Sequence, residues 1–402
     1  MRRLIFPISA LVLLPGIVLL SNFRGWRALI VTRLMRVENY PVVVSRPPGF
    51  RPQVPPGFKV SVFATGFEDP RWLAVSPNGD VFATDSAAGQ VIVLSDPGRT
   101  GKAESRVIFA DQLKMPFGTA FHDNYVYVAN TNEVQRFRYD PTTSKRLGNA
   151  EHIIDLPGFG YNQHWTRSLL FSKDGKHLFI SVGSKSNVGI ESDHRRAAIL
   201  IADPDGSNLR VFASGMRNPV GMAVNPQTGL LWATVNERDN IGDDTPPDYF
   251  TRVAEGAFYG WPYSYIGSHV DNRVPSRPDL VANAIVPDVL LDAHSSPLQF
   301  VFYDGQQFPS AYRRGAFVAE HGSHNRHIRS GYQVIFIPFE NGLPAGGAET
   351  FLSGFVPDRL GKEVYGRPVG VATQPEGSLL VSDDAGKLIW RVSFEPAFSS
   401  IQ

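Results

Sequence analysis

Between residues 237 and 248 the chain crowds Glu237, Asp239, Asp243, Asp244 and Asp248 beside Gly242 and two prolines. Carboxylates this dense repel one another, and a hard cation relieves the repulsion. Calcium takes about six to eight oxygens, backbone carbonyls included, from irregular loops of this kind. The spacing is not that of an EF-hand, so a solvated acidic loop is the competing reading. His164, in GYNQHWTRSLLF, stands where a loop feeds an apolar run; an imidazole there could serve as a general base near neutral pH, or simply be a lone polar side chain. His321, His324 and His327 recur at every third position in AEHGSHNRHIR. Imidazoles suit zinc or copper, yet no cysteine or obvious carboxylate partner accompanies them. Arg217 with Asn218, and separately Arg367, precede apolar runs (SGMRNPVGMAV and YGRPVGVAT). Two guanidinium forks converging from separate elements would suit a ligand with several carboxylates; hydrogen bonding between strands is the plainer alternative. No Gly-rich phosphate loop, G-x-S-x-G or H-E-x-x-H occurs, which argues against nucleotide cofactors and against serine or zinc hydrolysis.

The elements that must position these residues repeat one phrase: an apolar strand, a turn rich in Pro, Asn, Asp and Gly, then a second apolar strand. Copies occur at 72–94, 116–139, 168–184 with 199–203, 218–237, 298–320 with 331–339, and 366–394. Six units of three or four strands predict an all-β fold, a six-bladed β-propeller, in preference to a multi-sheet sandwich. An orphan strand at 58–64 would join the last unit and close the ring without leaving a free edge. Residues 235–296 break the rhythm, and a long ordered insertion of this kind is a place to look for function.

The composition, 43% hydrophobic and 19% charged over 402 residues, is that of a chain able to bury a full core. With no cysteine there is no disulfide, thiolate metal site, iron–sulfur cluster or covalently attached c-type haem. The net charge of +1 hides a basic first forty residues, at +5, and a remainder at −4. A mildly acidic body argues against nucleic acid as a partner. Arg2 and Arg3 precede the apolar run 4–20, which reads as an export signal without an A-x-A-like cleavage site, so a signal anchor is favoured over a cleaved peptide. A shorter apolar patch at 28–34 suits a membrane interface. The expected organisation is therefore an anchor at 1–40, a Pro-rich linker at 41–56 and a propeller at 57–396, held at the extracytoplasmic face.

The phrases PPGFKVSVFATG, SGMRNPVGMA, NERDNIGDD with PPDYFT, FYGWPYSY, HGSHNR with GYQV, GRPVGVA and the run at 164–184 together resemble the pyrroloquinoline quinone (PQQ)-dependent sugar dehydrogenases, especially the sorbosone dehydrogenase branch. The resemblance spans about 55–394. It implies a six-bladed propeller with PQQ in the central channel, calcium on the quinone, and oxidation of a sugar hydroxyl by hydride transfer. On that resemblance His164 matches the general base, Arg217 and Asn218 a cofactor-binding pair, and Arg367 an arginine gripping PQQ. The backbone carbonyls around Arg238 and Asp239 match ligands of the quinone calcium, a Lewis acid. Asp243, Asp244, Asp248 and Tyr259 correspond to a second, structural calcium site. Four positions depart from relatives: Val369 replaces a second cofactor arginine, Asn325 and Arg326 stand where a cofactor lysine is expected, Gln163 replaces the acid before the histidine, and His324 replaces a tryptophan. A sugar substrate and a separate electron acceptor follow as expected partners. A calcium-dependent lactonase-like propeller and a non-catalytic binding propeller are the alternatives.

Overall fold

The computed structural model describes residues 37–158 and 164–395. The apolar runs at 4–20 and 28–34, and Gln163, lie outside the described residues. Among those described, no helix is long and apolar enough to cross a membrane.

Six antiparallel sheets follow one another along the chain, each starting at its innermost strand. The first contains Pro70–Val75, Val81–Asp85, Gln90–Ser95 and Ser105–Ala110. The second, third, fourth and fifth begin at Thr119–His122, Leu169–Phe171, Asn218–Val224 and Pro297–Phe302. The sixth takes Pro368–Thr373, Leu379–Asp383 and Leu388–Phe394 from the end of the chain and its outer strand, Phe58–Thr65, from the beginning. Phe58 lies opposite Phe394 and Thr65 opposite Leu388, so the orphan strand closes the ring as expected. Closure leaves neither chain end with an unpaired inner edge. The protein is a six-bladed β-propeller.

The middle strands of the blades are buried on both faces, as in Val81–Asp85, Ala198–Ala202 and Leu379–Asp383. They therefore read as continuous apolar runs rather than alternating ones. Large aromatics fill the gaps between blades. Trp232 stacks on Phe250 at 4.8 Å between ring centroids, and Phe250 meets Phe300 of the next blade edge-on, also at 4.8 Å. Such pairs add about 0.5–1.5 kcal/mol each beyond the area they bury. The innermost strands converge closely enough to dictate residue size. A methyl group at Gly221 would meet the carbonyl oxygen of Leu298 on the neighbouring blade, to which Thr234 Oγ1 also donates at 2.6 Å.

Two expectations need correction. The Pro-rich segment at 41–56 is not a free linker: Val42–Val43 pairs in parallel with Glu363–Val364, and Gln53 bridges to Ser353. Proline forbids a central strand but not short edge pairing between prolines. The stretch at 235–296 is not wholly an insertion either, because it contains the last two strands of the fourth blade, Tyr249–Arg252 and Val289–Leu290. Between them lie a small hairpin, Ser264–Tyr265 with His269–Val270, and a four-residue helix, Pro278–Val281.

Candidate active site

A cavity of about 340 Å³ opens at the end of the ring where the innermost strands begin. Its walls include His164, Arg217, Asn218, Asp239, Asn325 and Arg367, brought from 164 to 367 in sequence. The blade geometry explains the convergence. In the first and sixth blades a buried aspartate at the end of the second strand ties down the loop entering the first. Asp85 accepts the N–H groups of Glu68 and Asp69 at 2.9 and 2.8 Å, and Asp383 accepts that of Arg367 at 2.7 Å. Burial pushes the Asp383 carboxyl up to about 6.

His164 has a left-handed backbone (φ 52°), a conformation uncommon outside glycine and held here by its surroundings. Its Nδ1 lies 3.0 Å from the Ser184 carbonyl and 2.9 Å from Ser184 Oγ, whose own hydrogen goes to Ser186 O. A carbonyl can only accept, so Nδ1 carries the proton and Nε2 keeps its lone pair. Burial, followed by the nearby Arg217 cation, holds the imidazole well below its usual pKa; it is neutral at pH 7. Gly183 is required beside it, since a Cβ there would lie 2.5 Å from that of His164 and would also meet Asn218 Oδ1.

The arginines differ. Arg217 is already engaged: Nη2 pairs with Asp239 at 3.0 Å, and other N–H groups reach Glu237 O and Asn187. Arg367 donates only to carbonyls, His321 O at 3.1 Å and Gly322 O at 3.0 Å, and makes no ion pair among the described residues. Burial lowers its proton affinity, only partly offset by Asp384. A guanidinium remains charged under all such conditions, so a cation with no direct ion pair among the described residues faces the cavity. Asn218 donates to Asn236 Oδ1 at 3.2 Å, while its own buried Oδ1 has no partner.

Sequence reasoning missed Arg71 and gave His321 a different role. Arg71 lines the cavity, contacts Asp384 and lies 5.4 Å from the Trp165 ring centroid, with its buried Nε unpartnered. The available signal was its place near the start of an innermost strand, one residue past Pro70 as Val369 is one past Pro368. His321 also lines the cavity, with Nε2 2.7 Å from Asp384 Oδ2. The three spaced histidines do not share a metal: His324 stacks on Tyr40, and His327 pairs with Asp243 at 3.0 Å.

The side chains expected at calcium all have protein partners in this structure. Asp243 is paired with His327, and Asp244 with Arg326 at 2.6 Å. Asp248 accepts the N–H groups of Glu237 and Ser296, both at 2.7 Å, and Tyr259 Oη donates to Arg252 O at 2.6 Å. The Asp239 carbonyl already receives Arg273 Nη1 at 3.0 Å and Asn187 Nδ2 at 3.1 Å, which uses both lone pairs. The Arg238 side chain is buried between Glu237 and Asp271, at 2.9 and 3.0 Å. Among the described residues no group of three or more metal-binding side chains forms. The physical reason is the partners that tertiary structure brings: Arg326 for Asp244, His327 for Asp243 and backbone N–H groups for Asp248. Arg326, expected at the cofactor, is spent on this task and lies outside the cavity wall. Asn325 does reach the cavity, donating to Asp239.

A family model described as TrAA12-like matches residues 52–247 and 279–394. The chain belongs to the TrAA12-like family. Its similar curated proteins include a PQQ-dependent pyranose dehydrogenase of Coprinopsis cinerea, 22% identical over 84% of this chain and 54% of that one. An aldose sugar dehydrogenase of Escherichia coli is 26% identical over 38% of this chain and 44% of its own length. The chain thus spans about half the length of the Coprinopsis protein. Among solved structures, a Trichoderma reesei protein of carbohydrate-active enzyme family AA12 superposes with a TM-score of 0.73 at 22% identity, covering 86% of this chain and 98% of that one. The PQQ domain of the Coprinopsis enzyme superposes at 0.74 with 20% identity, covering 88% and 99%. These likenesses establish the same propeller.

Beside the cavity, Glu320 gives a pH test of the fold. Burial pushes its carboxyl up to about 7 even though Gln333 Nε2 donates to it at 2.8 Å. The folded state therefore holds this proton more tightly than the unfolded chain, and the associated stability is complete below about pH 4.5 and lost as pH rises through about 7. Glu320→Gln, with no charge to bury, should gain in melting temperature relative to the parent between pH 5 and pH 8. An unchanged difference across that interval would mean that Glu320 titrates normally.

Proposed function

We propose that the chain is a PQQ-dependent sugar dehydrogenase whose cofactor occupies the channel between Arg367, Arg71 and Asn218. The observation that carries this reading is the Arg367 guanidinium, which Asp384 offsets only partly, facing a cavity that also presents the lone pair of a neutral imidazole. PQQ carries three carboxylates and a pyrrole N–H, and these match the arginines and the unpartnered Asn218 Oδ1. When bound, it supplies the two-electron acceptor that the side chains lack. Arg367 and Arg71 hold carboxylates by charge-assisted hydrogen bonds. His164 takes the proton of a sugar hydroxyl at Nε2, and its Nδ1–H stays on Ser184, so both N–H groups of the resulting imidazolium have acceptors. The resemblance makes an aldose or sorbosone-like sugar the substrate. Calcium belongs in the assay because relatives imply it, although none of these residue roles depends on it.

A separate electron acceptor completes this reading. The basic-flanked apolar run at 4–20 supports export and attachment to a membrane. The test is dye reduction by the purified protein with a panel of aldoses, with and without PQQ and calcium. PQQ-dependent reduction is expected; lactone hydrolysis without it would replace this reading with the hydrolase alternative.

A further inference from the structure

The segment preceding the propeller reaches the active-site rim. Asn39 donates its N–H to His324 O at 2.8 Å, and its side-chain amide donates to Arg326 O at 3.0 Å and His327 O at 3.3 Å. The buried Arg329 fixes Asn39 from the other side, with Nη1 to its carbonyl at 3.1 Å and Nη2 to its Oδ1 at 3.2 Å. Val42 and Val44 then donate to Lys362 O and Val364 O at 2.8 and 3.0 Å. Within this strap Tyr40 lies parallel to His324, with 5.4 Å between ring centroids and 14° between planes. His324 itself forms part of the cavity wall. Tyr40 remains 58% exposed, which marks this stack as the outer rim, whereas Arg367 and Arg71 belong to the deeper wall.

We propose that Asn39 and Tyr40 are positioning residues for the sugar subsite, holding His324 against the rim of the channel. The backbone bonds set the height of the 321–329 loop, and the Tyr40 ring restricts the imidazole to one plane. An imidazole fixed in this way offers a hydrogen-bonding edge to a hydroxylated ligand above the deeper arginines, and it spends no further entropy on binding. The ring rather than the phenolic hydroxyl performs the positioning. The inference rests on the dehydrogenase reading for the identity of the ligand, but the mechanical link from strap to loop does not.

The test compares Tyr40→Ala and Tyr40→Phe with the parent protein. Loss of an aromatic stack of this type corresponds to roughly 2- to 10-fold. Tyr40→Ala should raise KM for the sugar by that factor, leave kcat within about twofold and leave PQQ affinity unchanged, while Tyr40→Phe behaves like the parent. In parallel, hydrogen exchange of the 322–329 amides, measured without PQQ or sugar, should be faster in Tyr40→Ala only. An unchanged KM in an active Tyr40→Ala protein, or a matching loss of PQQ affinity, overturns the sugar-subsite assignment. Unchanged exchange overturns the positioning claim. Absence of PQQ-dependent turnover in the parent protein instead defeats the dehydrogenase reading, and the exchange result still decides whether the strap holds the loop.

Discussion

His164→Ala is expected to lower kcat by about 10²- to 10⁴-fold, the range for removal of a positioned general base, while PQQ affinity stays within a few-fold of the parent. The separation follows from the hydrogen bonds. His164 spends Nδ1 on Ser184 and carries no cofactor-binding cation, whereas its Nε2 is the one feature of the side chain suited to accepting a proton. Its depressed pKa keeps that lone pair available at pH 7. Steady-state rates with saturating sugar, together with a PQQ titration of the same variant, separate the two effects. Loss of cofactor with little change in residual rate per bound PQQ would assign His164 to binding instead.

Arg367→Ala should weaken PQQ binding by about 10- to 100-fold, corresponding to loss of a charge-assisted hydrogen bond. Arg367→Lys should recover part of the loss, since it keeps the charge but not the planar fork. Arg326→Ala is the informative control. The sequence placed it at the cofactor, but its guanidinium pairs with Asp244 away from the cavity, so its removal should leave PQQ affinity unaltered. Equal losses for Arg326 and Arg367 would mean that the cofactor lies elsewhere.

The blade repeats were legible because strands such as Val81–Asp85 and Leu379–Asp383 are buried on both faces and each opens with three consecutive apolar residues. The outer strands were not. Arg146–Asp155 is exposed over most of its length, and its composition resembles a loop; only pairing with Glu133–Tyr139 makes it a strand. Arg217, Asn218 and Arg367 could be found because each immediately precedes or starts an innermost strand, and His164 because it lies in the loop feeding Leu169–Phe171. Arg71 follows its strand's proline whereas Arg367 precedes its own, so the register places Arg71 two positions further along its blade than Arg367 and no shared phrase marks it. The partners of the acidic loop were hidden for a different reason. Local sequence displays the like charges together, while Arg326, His327 and Arg273, which neutralise or cap them, arrive from 25 or more residues away. The strap at Asn39–Val44 was equally hidden, since its partners, backbone groups with the Arg329 and His324 side chains, lie more than 280 residues away in sequence.

Anaerobic titration of the apoprotein with PQQ, followed by an aldose, tests the central claim most directly. The account predicts saturation at one PQQ per chain, then conversion of the bound quinone spectrum to the reduced form on addition of sugar in the parent protein, with binding but no rapid conversion in His164→Ala. Failure of the parent chain to bind PQQ with Arg367 intact, or binding without reduction by any aldose in the panel, would contradict it.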